Sequence, residues 1–309
     1  MSLAPAISVE GLRKTYGARV AVEGLSFTAG AGEVFALLGP NGAGKTTTIE
    51  ILEGYRSRDA GEVAVLGLDP QREPNKLRQQ IGLMLQEGGV YPQVRPREIL
   101  ALFASFYRDH QDPDKLLELV GLAESLKTPY RRLSGGQKQR LALALALVGC
   151  PRVVFLDEPT AGMDPQARRA TWDIIRSLRE SRVTVLLTTH YMDEAEQLAD
   201  RIGIIDRGRL VAVGDMESLR RQPESADTSV RMVAPAGLDL TELRALDGVK
   251  AVREEQSGAY IFETTEPPAL LAEVTAWARQ REVSVRELRV GRESLEDIFL
   301  RLTGDRMRA

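Results

Sequence analysis

Short apolar runs alternate with longer amphipathic stretches over the first two thirds of the chain. The runs are rich in β-branched and aromatic residues, as strands are, and they fall at residues 34–38, 63–66, 153–156, 183–187 and 202–205. Helical spacing of apolar residues predicts helices over residues 96–107, 114–120, 137–148 and 166–179. Strands that are apolar throughout are covered on both faces. The pattern therefore predicts an α/β fold in which helices flank a mostly parallel sheet.

A polar segment with a proline, residues 220–223, separates this region from a second one and predicts a domain boundary. We therefore expect one domain over residues 1–222 and a small accessory domain over residues 223–309. The smaller domain shows the β-α-β-β-α-β order of a ferredoxin-like α+β fold. Its predicted strands are residues 229–233, 249–253, 259–263 and 283–288, and its helices are residues 240–246 and 268–280.

A final helix is predicted over residues 294–302, where Ser294 and Asp297 have the spacing of a capping box. The apolar residues of this helix form one stripe, made of Leu295, Ile298, Phe299 and Leu302. We expect the stripe to pack into the core of its own domain. A face that binds a partner is the alternative.

Composition narrows the class of protein. Hydrophobic residues are 43% and charged residues 28% of the 309 residues, which is typical of a folded soluble protein. The net charge of -3 argues against a nucleic-acid partner. A lone cysteine, Cys150, favours a cytoplasmic location and is expected to be a small buried side chain. The longest apolar run, residues 141–149, is too short to span a bilayer, and residues 1–10 lack the features of a secretory signal.

The strongest chemical signal is the segment GPNGAGKT, which follows the strand at residues 34–38 and precedes a helical pattern. This is the phosphate loop of nucleoside triphosphatases in the context that supports it. Its glycines let backbone amides approach phosphates, Lys45 reaches the β- and γ-phosphates, and the Thr46 hydroxyl is a ligand for Mg²⁺. We expect the nucleotide to contact Gly39, Pro40, Asn41, Gly42, Ala43, Gly44, Lys45, Thr46 and Thr47.

Two carboxylates follow another buried strand, at residues 153–156. We expect Asp157 to hold Mg²⁺ through its water shell. Glu158, one residue further along, is placed to accept a proton from the water that attacks the γ-phosphate or to orient that water. Plain solvated charges are the alternative, but an apolar strand directly before the pair argues against them.

A serine-glycine segment, LSGGQ, stands shortly before Asp157. Ser134, Gly135 and Gly136 open a helix there, so free amides and a hydroxyl form a second anion site, and Gln137 ends the segment. The segment resembles the signature sequence of the nucleotide-binding subunits of ABC transporters. Because one chain has one phosphate loop, a second anion site implies a second chain. The resemblance implies a homodimer in which the signature of one cassette covers the γ-phosphate held by the other.

Further positions match that family one by one, and their roles are implied by the resemblance. Tyr16 resembles the aromatic residue that stacks on adenine, and Gln86 the glutamine that contacts Mg²⁺ and the attacking water. Asp164 resembles the aspartate that crosses the dimer interface, and His190 the histidine that contacts the γ-phosphate. His110 has no motif around it and is expected to be structural.

The resemblance implies a P-loop ABC cassette, with a helical subdomain over about residues 88–150, that hydrolyses ATP with Mg²⁺. It implies a separate integral membrane permease, and hence a peripheral place on the inner face of the cell membrane. Subfamily markers, among them the segment HYMDEAE that begins at His190, resemble drug and antibiotic exporters of the daunorubicin-efflux type. Export of polysaccharide, lipid or ions, import, a soluble non-transport ABC ATPase, and a non-catalytic regulatory or scaffold protein remain alternatives.

Overall fold

The computed structural model describes residues 4–85, 90–220, 228–291 and 294–303. The chain divides into two compact units, Met1–Met216 with Leu302–Ala309, and Glu217–Arg301. Most of the predicted boundary segment, residues 221–223, lies outside the described residues. The limits predicted at 222 and 223 stay a prediction.

The first unit contains strands and helices that alternate along much of its length. Its strands are β1 (Ile7–Tyr16), β2 (Arg19–Ala29), β3 (Val34–Leu38), β4 (Ala60–Val65), β5 (Ile81–Met84), β6 (Val153–Asp157), β7 (Thr184–Thr189), β8 (Arg201–Asp206) and β9 (Arg209–Gly214). Its helices are α1 (Lys45–Leu52), α2 (Pro74–Arg78), α3 (Pro96–Ala104), α4 (Pro113–Leu119), α5 (Gly135–Leu147), α6 (Pro165–Glu180) and α7 (Met192–Leu198), with 3-10 turns at Ala123–Ser125 and Tyr130–Arg132.

A six-stranded sheet with the order β5-β6-β7-β3-β8-β9 forms the centre of this unit. All neighbouring strands from β5 to β8 pair in parallel, and only β9 runs antiparallel, to β8. Every residue of β3, β6 and β7 is buried, as expected where helices cover both faces of parallel strands. The predicted mostly parallel sheet is confirmed.

A second sheet, three-stranded and antiparallel with the order β2-β1-β4, corrects one expectation. The strand predicted at residues 63–66 belongs to this sheet, where Val63 pairs with Val9, and not to the parallel one. The apolar pattern also misses β1 and β2, because their buried and exposed residues alternate and irregularities near Leu12 interrupt the pairing. Runs of continuous hydrophobicity therefore identify β3, β4, β6, β7 and β8, and miss β1, β2, β5 and β9.

The core between the two sheets holds the helix that follows the phosphate loop. Phe27 of β2 stacks on Phe35 of β3 with ring centroids 4.9 Å apart. Ile49 and Leu52 of α1 are buried in the same cluster. Burial of large aromatic and aliphatic side chains is the main stabilising contribution in such a cluster. The start of α1 is therefore fixed by apolar packing along the rest of the helix.

Helices α3, α4 and α5 contact one another, and α5 also contacts β5. Their bounds agree with the predicted helices to within a few residues, which is the usual uncertainty at helix ends. The expectation that Cys150 is buried is wrong, because its side chain is exposed. Cys150 lies in the turn after α5, with φ 49 and a hydrogen bond from its amide to the Leu147 carbonyl at 3.2 Å, and turns of this kind lie at the surface.

The second unit begins within α8 (Met216–Arg220). Its further elements are β10 (Thr228–Val233), α9 (Leu240–Arg244), β11 (Ala251–Gln256), β12 (Ala259–Thr264), α10 (Pro267–Gln280) and β13 (Glu287–Gly291), together with α11 (Leu295–Thr303) as far as Arg301. The sheet is antiparallel with the order β11-β12-β10-β13. This is the ferredoxin-like arrangement that the sequence predicts.

The last strand of this unit begins later than predicted. Glu282 has φ 55, and the Val283 amide donates to the Ala278 carbonyl at 2.9 Å, a hydrogen bond that closes the C-terminal end of α10. The residues after Val283 leave the helix, so pairing with β10 starts only at Glu287. The capping box is confirmed, since Ser294 and Asp297 exchange hydrogen bonds of 3.0 and 3.2 Å between amides and side chains.

The stripe on α11 is buried at Leu295, Ile298 and Phe299, which favours packing over an exposed partner-binding face. Among the helices of the described residues, we find none with the length and apolar character needed to cross a membrane.

Candidate functional site

Four of the predicted site residues, Lys45, Asp157, Glu158 and His190, gather where β3, β6 and β7 end. These strands are neighbours in the parallel sheet, so their carboxyl ends lie at the same edge. The phosphate loop follows β3, the carboxylate pair stands at the end of β6, and His190 follows β7. Ligands of open α/β sheets bind at this edge.

Close packing of the backbone gives the phosphate loop its shape. A Cβ atom on Gly39 would lie 2.2 Å from the carbonyl oxygen of Ile205, and one on Gly44 would lie 2.4 Å from the carbonyl oxygen of Ala21. Gly44 also has φ 103, in the region that favours glycine. The loop therefore delivers the chain to the first turn of α1, where Lys45 is buried and Thr46 is exposed.

Replacing Gly39 with alanine is expected to destabilise the protein by about 1–3 kcal/mol, because the new methyl group overlaps fixed backbone. We also expect weaker ATP binding, since the loop must shift. Thermal denaturation and nucleotide titration measure the two effects. Gly67→Ala is the control: Gly67 has φ 77 but no atom near its Cβ position, so it should lower stability without weakening ATP binding. An unchanged Tm for Gly39→Ala would contradict this account.

The Lys45 ammonium is enclosed by acceptors. Its Nζ donates to the carbonyl oxygens of Gly39 at 2.6 Å and Pro40 at 3.2 Å, and it lies 3.7 Å from Oε1 of Glu158. Burial lowers the pKa of Lys45, while the neighbouring charges of Glu158 and Asp157 raise it. A buried cation with acceptors on several sides is suited to receive an anionic group.

The carboxylate pair at the end of β6 is fixed by β7. Asp157 is 1% exposed, and its carboxylate accepts a hydrogen bond from the Thr188 hydroxyl. That hydroxyl also accepts from the amide of Glu158 at 3.1 Å. Glu158 adopts φ 50, in the left-handed region, which turns the chain sharply at the strand end. Such backbone conformations cluster at functional sites.

Glu158 and His190 are in direct contact. His190 Nδ1 lies 3.1 Å from Oε1 of Glu158, the same oxygen that faces Lys45. The side chain of His190 is 28% exposed and that of Glu158 only 10%. The structure thus brings together three of the predicted site residues around one carboxylate oxygen.

The signature segment forms a helix cap with an exposed serine. Ser134 precedes α5, where its Oγ accepts from the Gln137 amide at 3.2 Å and its own amide donates to Oε1 of Gln137 at 2.9 Å. Ser134 and Gly135 are exposed, and Gly136 and Gln137 are partly buried. The remaining side-chain hydrogen bond of Gln137, within the described residues, goes to Ser125 at 3.1 Å. Within the described residues, the side-chain hydrogen bonds of Ser134 and Gln137 do not reach the phosphate loop of the same chain.

Asp164 and Tyr16 lie at other points of the surface. Asp164 caps α6 by accepting from the amides of Gln166 at 3.0 Å and Ala167 at 2.9 Å, and the hydrogen bond from Ala167 is the largest cause of its lowered pKa. Tyr16, at the end of β1, is 39% exposed, and its ring centre lies 5.2 Å from the Arg56 guanidinium. Gln86 lies outside the described residues.

The sequence reading overlooked the polar residues that hold the site in place. Thr188 is the residue before the last of β7, whose two final residues are buried threonines, and polar residues at the end of a buried strand are the signal that identifies it. Glu194 is fully buried, and its Oε1 accepts from Thr160 at 2.7 Å and from Trp172 at 3.1 Å. Burial raises the pKa of Glu194, and its interactions with the side chains of Thr160, Thr189 and Trp172 oppose that rise. No local pattern distinguishes Glu194 from the exposed acidic residues around it.

Comparison with known proteins places this site in a family. The ABC transporter profile matches residues 22–161. The Nod factor export ATP-binding protein I of Ralstonia nicotianae is 39% identical over 310 residues, covering 98% of this chain and 95% of that protein. A daunorubicin resistance ATP-binding protein of Streptomyces coeruleorubidus is 36% identical, covering 97% of this chain and 96% of that protein.

Solved structures of ABC transporter subunits also resemble this chain. The structure of an ATP-binding subunit of an ABC transporter has a TM-score of 0.65 and 29% identity, and it covers 70% of this chain and 92% of that one. Because relatives more than 30% identical match nearly the whole chain, the chain belongs to the ATP-binding subunits of ABC transporters.

Proposed function

We propose that this chain hydrolyses ATP in a nucleotide-bridged homodimer and thereby powers a separate membrane permease that exports an amphipathic compound. The observation that carries the catalytic part is the single oxygen of Glu158 that lies 3.7 Å from Lys45 and 3.1 Å from His190. This arrangement places a base, a phosphate-binding cation and a supporting imidazole at one point.

Glu158 is the general base of this proposal. Lys45 lies 3.7 Å from Glu158, and a γ-phosphate, which carries more negative charge, competes with Glu158 for the Lys45 ammonium. Withdrawal of Lys45 toward phosphate leaves the Glu158 carboxylate able to accept a proton from water. His190 then contacts the γ-phosphate and holds Glu158 in position. Gln86 is proposed to orient the same water.

Thr46 and Asp157 are proposed to hold Mg²⁺ with the phosphates and water, and Gln86 joins them. The donor set fits, because hydroxyl and carboxylate oxygens are the ligands that Mg²⁺ takes in nucleotide sites. The negative charge of Asp157 also opposes the lowering of the pKa of Lys45, the residue directly before Thr46. Bound Mg²⁺ neutralises charge that develops on the phosphates.

The second half of each ATP site comes from the other copy of the chain. The exposed cap at Ser134 and the first amides of α5, a helix of 13 residues, are the anion site that we assign to the nucleotide of the other copy. Helix N-termini of this kind bind phosphate. Ser134, Gly135, Gly136 and Gln137 are proposed to cover the γ-phosphate of the partner, with Asp164 at the interface and Tyr16 against adenine.

Export of a drug-like or antibiotic compound is the substrate class that the relatives support. One relative is named for daunorubicin resistance and another for Nod factor export. Because the two relatives are named for different compounds, export of polysaccharide, lipid or ions stays an alternative. Attachment to a permease would hold the chain at the inner face of the cell membrane.

Copurification tests the transport part of the proposal. We expect the tagged chain, expressed in its own host and extracted in mild detergent, to bring down one integral membrane protein, and loss of the chain to sensitise the host to an amphipathic compound. ATP hydrolysis by the purified chain, without a membrane partner and without a change in compound accumulation, would favour a soluble ABC ATPase instead. A Glu158→Gln chain that still restores resistance would contradict coupling to hydrolysis.

A further inference from the structure

The buried carboxylate of Glu194 lies outside the proposed ATP site. It accepts hydrogen bonds from the segments that carry residues of that site. Glu194 is 0% exposed, and its Oε1 accepts from the Thr160 hydroxyl at 2.7 Å and from the Trp172 indole at 3.1 Å. Glu194 lies on α7, Trp172 on α6, and Thr160 on the loop between β6 and α6. A single oxygen therefore connects three elements.

Each of these elements leads directly to a residue of the proposed site. Thr160 follows Glu158 by two residues, and α7 begins two residues after His190. Trp172 belongs to the helix that Asp164 caps. The hydrogen bonds of Glu194 thus fix the loop after the base relative to the helix after the histidine.

Packing alone does not account for an acidic residue here. Within the described residues, the other oxygen of Glu194, Oε2, is buried without a hydrogen-bond partner. An unpaired buried oxygen destabilises a fold, and an apolar residue of similar size would fill the same space without that penalty. The acceptor that Glu194 supplies is its distinguishing property.

A stack of side chains makes a further contact between α6 and the start of α7. The guanidinium of Arg168, on α6, lies 4.5 Å from the ring centre of Tyr191. The Tyr191 ring in turn lies 4.1 Å from that of His190. Arg168 also lies 3.5 Å from Asp193. Helix α6 therefore contacts Tyr191, the residue after His190, and also Glu194 on α7.

We propose that Glu194 is a positioning residue, which sets the distance between Glu158 and His190 by accepting hydrogen bonds from Thr160 and Trp172. The inference rests on the roles proposed above for Glu158 and His190. Glu194 itself does not touch nucleotide in this account. Its effect reaches the reaction through the loop and the helix that it ties together.

Steady-state kinetics of two Glu194 variants separates positioning from stability. Glu194→Met removes both acceptor oxygens at similar volume, and we expect kcat to fall about tenfold at an unchanged KM for ATP, because small displacements of reacting groups lower rates steeply. Glu194→Gln keeps the oxygen acceptor and is expected to stay within about twofold of the wild-type rate. Thr160→Val should lower kcat in the same way, and combining it with Glu194→Met should add little further.

A matched control excludes a general effect of buried threonines. Thr184 is also buried, but its hydroxyl pairs with the Gly32 amide at 2.9 Å, at the start of β7 and away from the proposed site. Thr184→Val should lower Tm and leave kcat unchanged. A Glu194→Met chain that does not fold would leave the test with Thr160→Val and with Trp172→Phe, which removes the second donor.

Histidine NMR reports the geometry without any turnover. The chain has two histidines, so His110→Gln leaves the Cε1 proton of His190 as the sole imidazole signal. We expect Glu194→Met and Thr160→Val to shift this signal in the nucleotide-free chain, and Thr184→Val to leave it in place.

Different results would overturn the role of Glu194 and the proposed role of Glu158. Wild-type kcat and an unmoved His190 signal in both Glu194→Met and Thr160→Val would overturn the role of Glu194. Equal losses in Glu194→Met and Glu194→Gln would also overturn it, since the acceptor would then be irrelevant. Full ATP hydrolysis by Glu158→Gln would instead overturn the roles on which the inference rests.

Discussion

Replacing Glu158 with glutamine is expected to lower kcat for ATP hydrolysis by roughly 10²–10⁴-fold, the usual contribution of a general base. Glutamine keeps the size of the side chain and an oxygen that faces Lys45 and His190, so the site should stay intact. It cannot take a proton from water. ATP binding should therefore persist, and the ATP-bound dimer should accumulate because the step that removes the bridging charge is blocked.

Phosphate release and gel filtration with ATP measure the two effects. A variant that hydrolyses ATP at the wild-type rate would exclude Glu158 as the base. Ser134→Arg in the Glu158→Gln chain is the matched test of the composite site, because Ser134 is exposed and its hydrogen bonds are local. We expect this double variant to bind ATP as a monomer. A stable ATP-bound dimer in the double variant would contradict the proposed contact between signature and phosphate.

Replacing Lys45 with methionine is expected to weaken ATP binding about a hundredfold. Lys45 is proposed to contact two phosphates, and charge-assisted hydrogen bonds of this kind contribute about 3 kcal/mol, or roughly a hundredfold in Kd. Methionine preserves the aliphatic volume of a side chain that is 5% exposed. The variant should also fail to dimerise with ATP, in contrast to Glu158→Gln.

Titration with a fluorescent nucleotide gives Kd directly. Lys76→Met is the control, since the Lys76 side chain is 72% exposed and forms an ion pair at 2.8 Å with Glu73, three residues before it. It should bind ATP as the wild type does. An unchanged Kd for Lys45→Met would show that the loop amides alone hold the phosphates.

Much of the central sheet is predictable because its cause is local. Residues 34–38 and 153–156 are apolar without interruption, as parallel strands covered on both faces are. The strands β1 and β2 escape prediction because one side of each is polar, so their pattern resembles other amphipathic segments. The late start of β13 has a different cause, since the turn at Glu282 is set by how α10 ends and not by strand propensity.

The site likewise has parts that the sequence predicts and parts that only the folded chain brings together. The phosphate loop and the signature cap consist of consecutive residues, so their chemistry is legible in the order of the amino acids: glycines that admit close approach, a lysine at the start of α1, and a serine that caps α5. The meeting of Lys45, Glu158 and His190 is not local. It depends on β3, β6 and β7 lying side by side, and strand order results from the packing of the whole sheet.

The amino-acid sequence by itself determined that this protein binds a nucleoside triphosphate, because the phosphate-binding amides and the lysine come from one short segment. Only the tertiary structure decided that one oxygen of Glu158 faces both Lys45 and His190, and that Glu194 joins the loop and helices behind them. Contacts between distant segments form when apolar faces pack, and the number of residues between two positions carries no record of their separation in the folded chain.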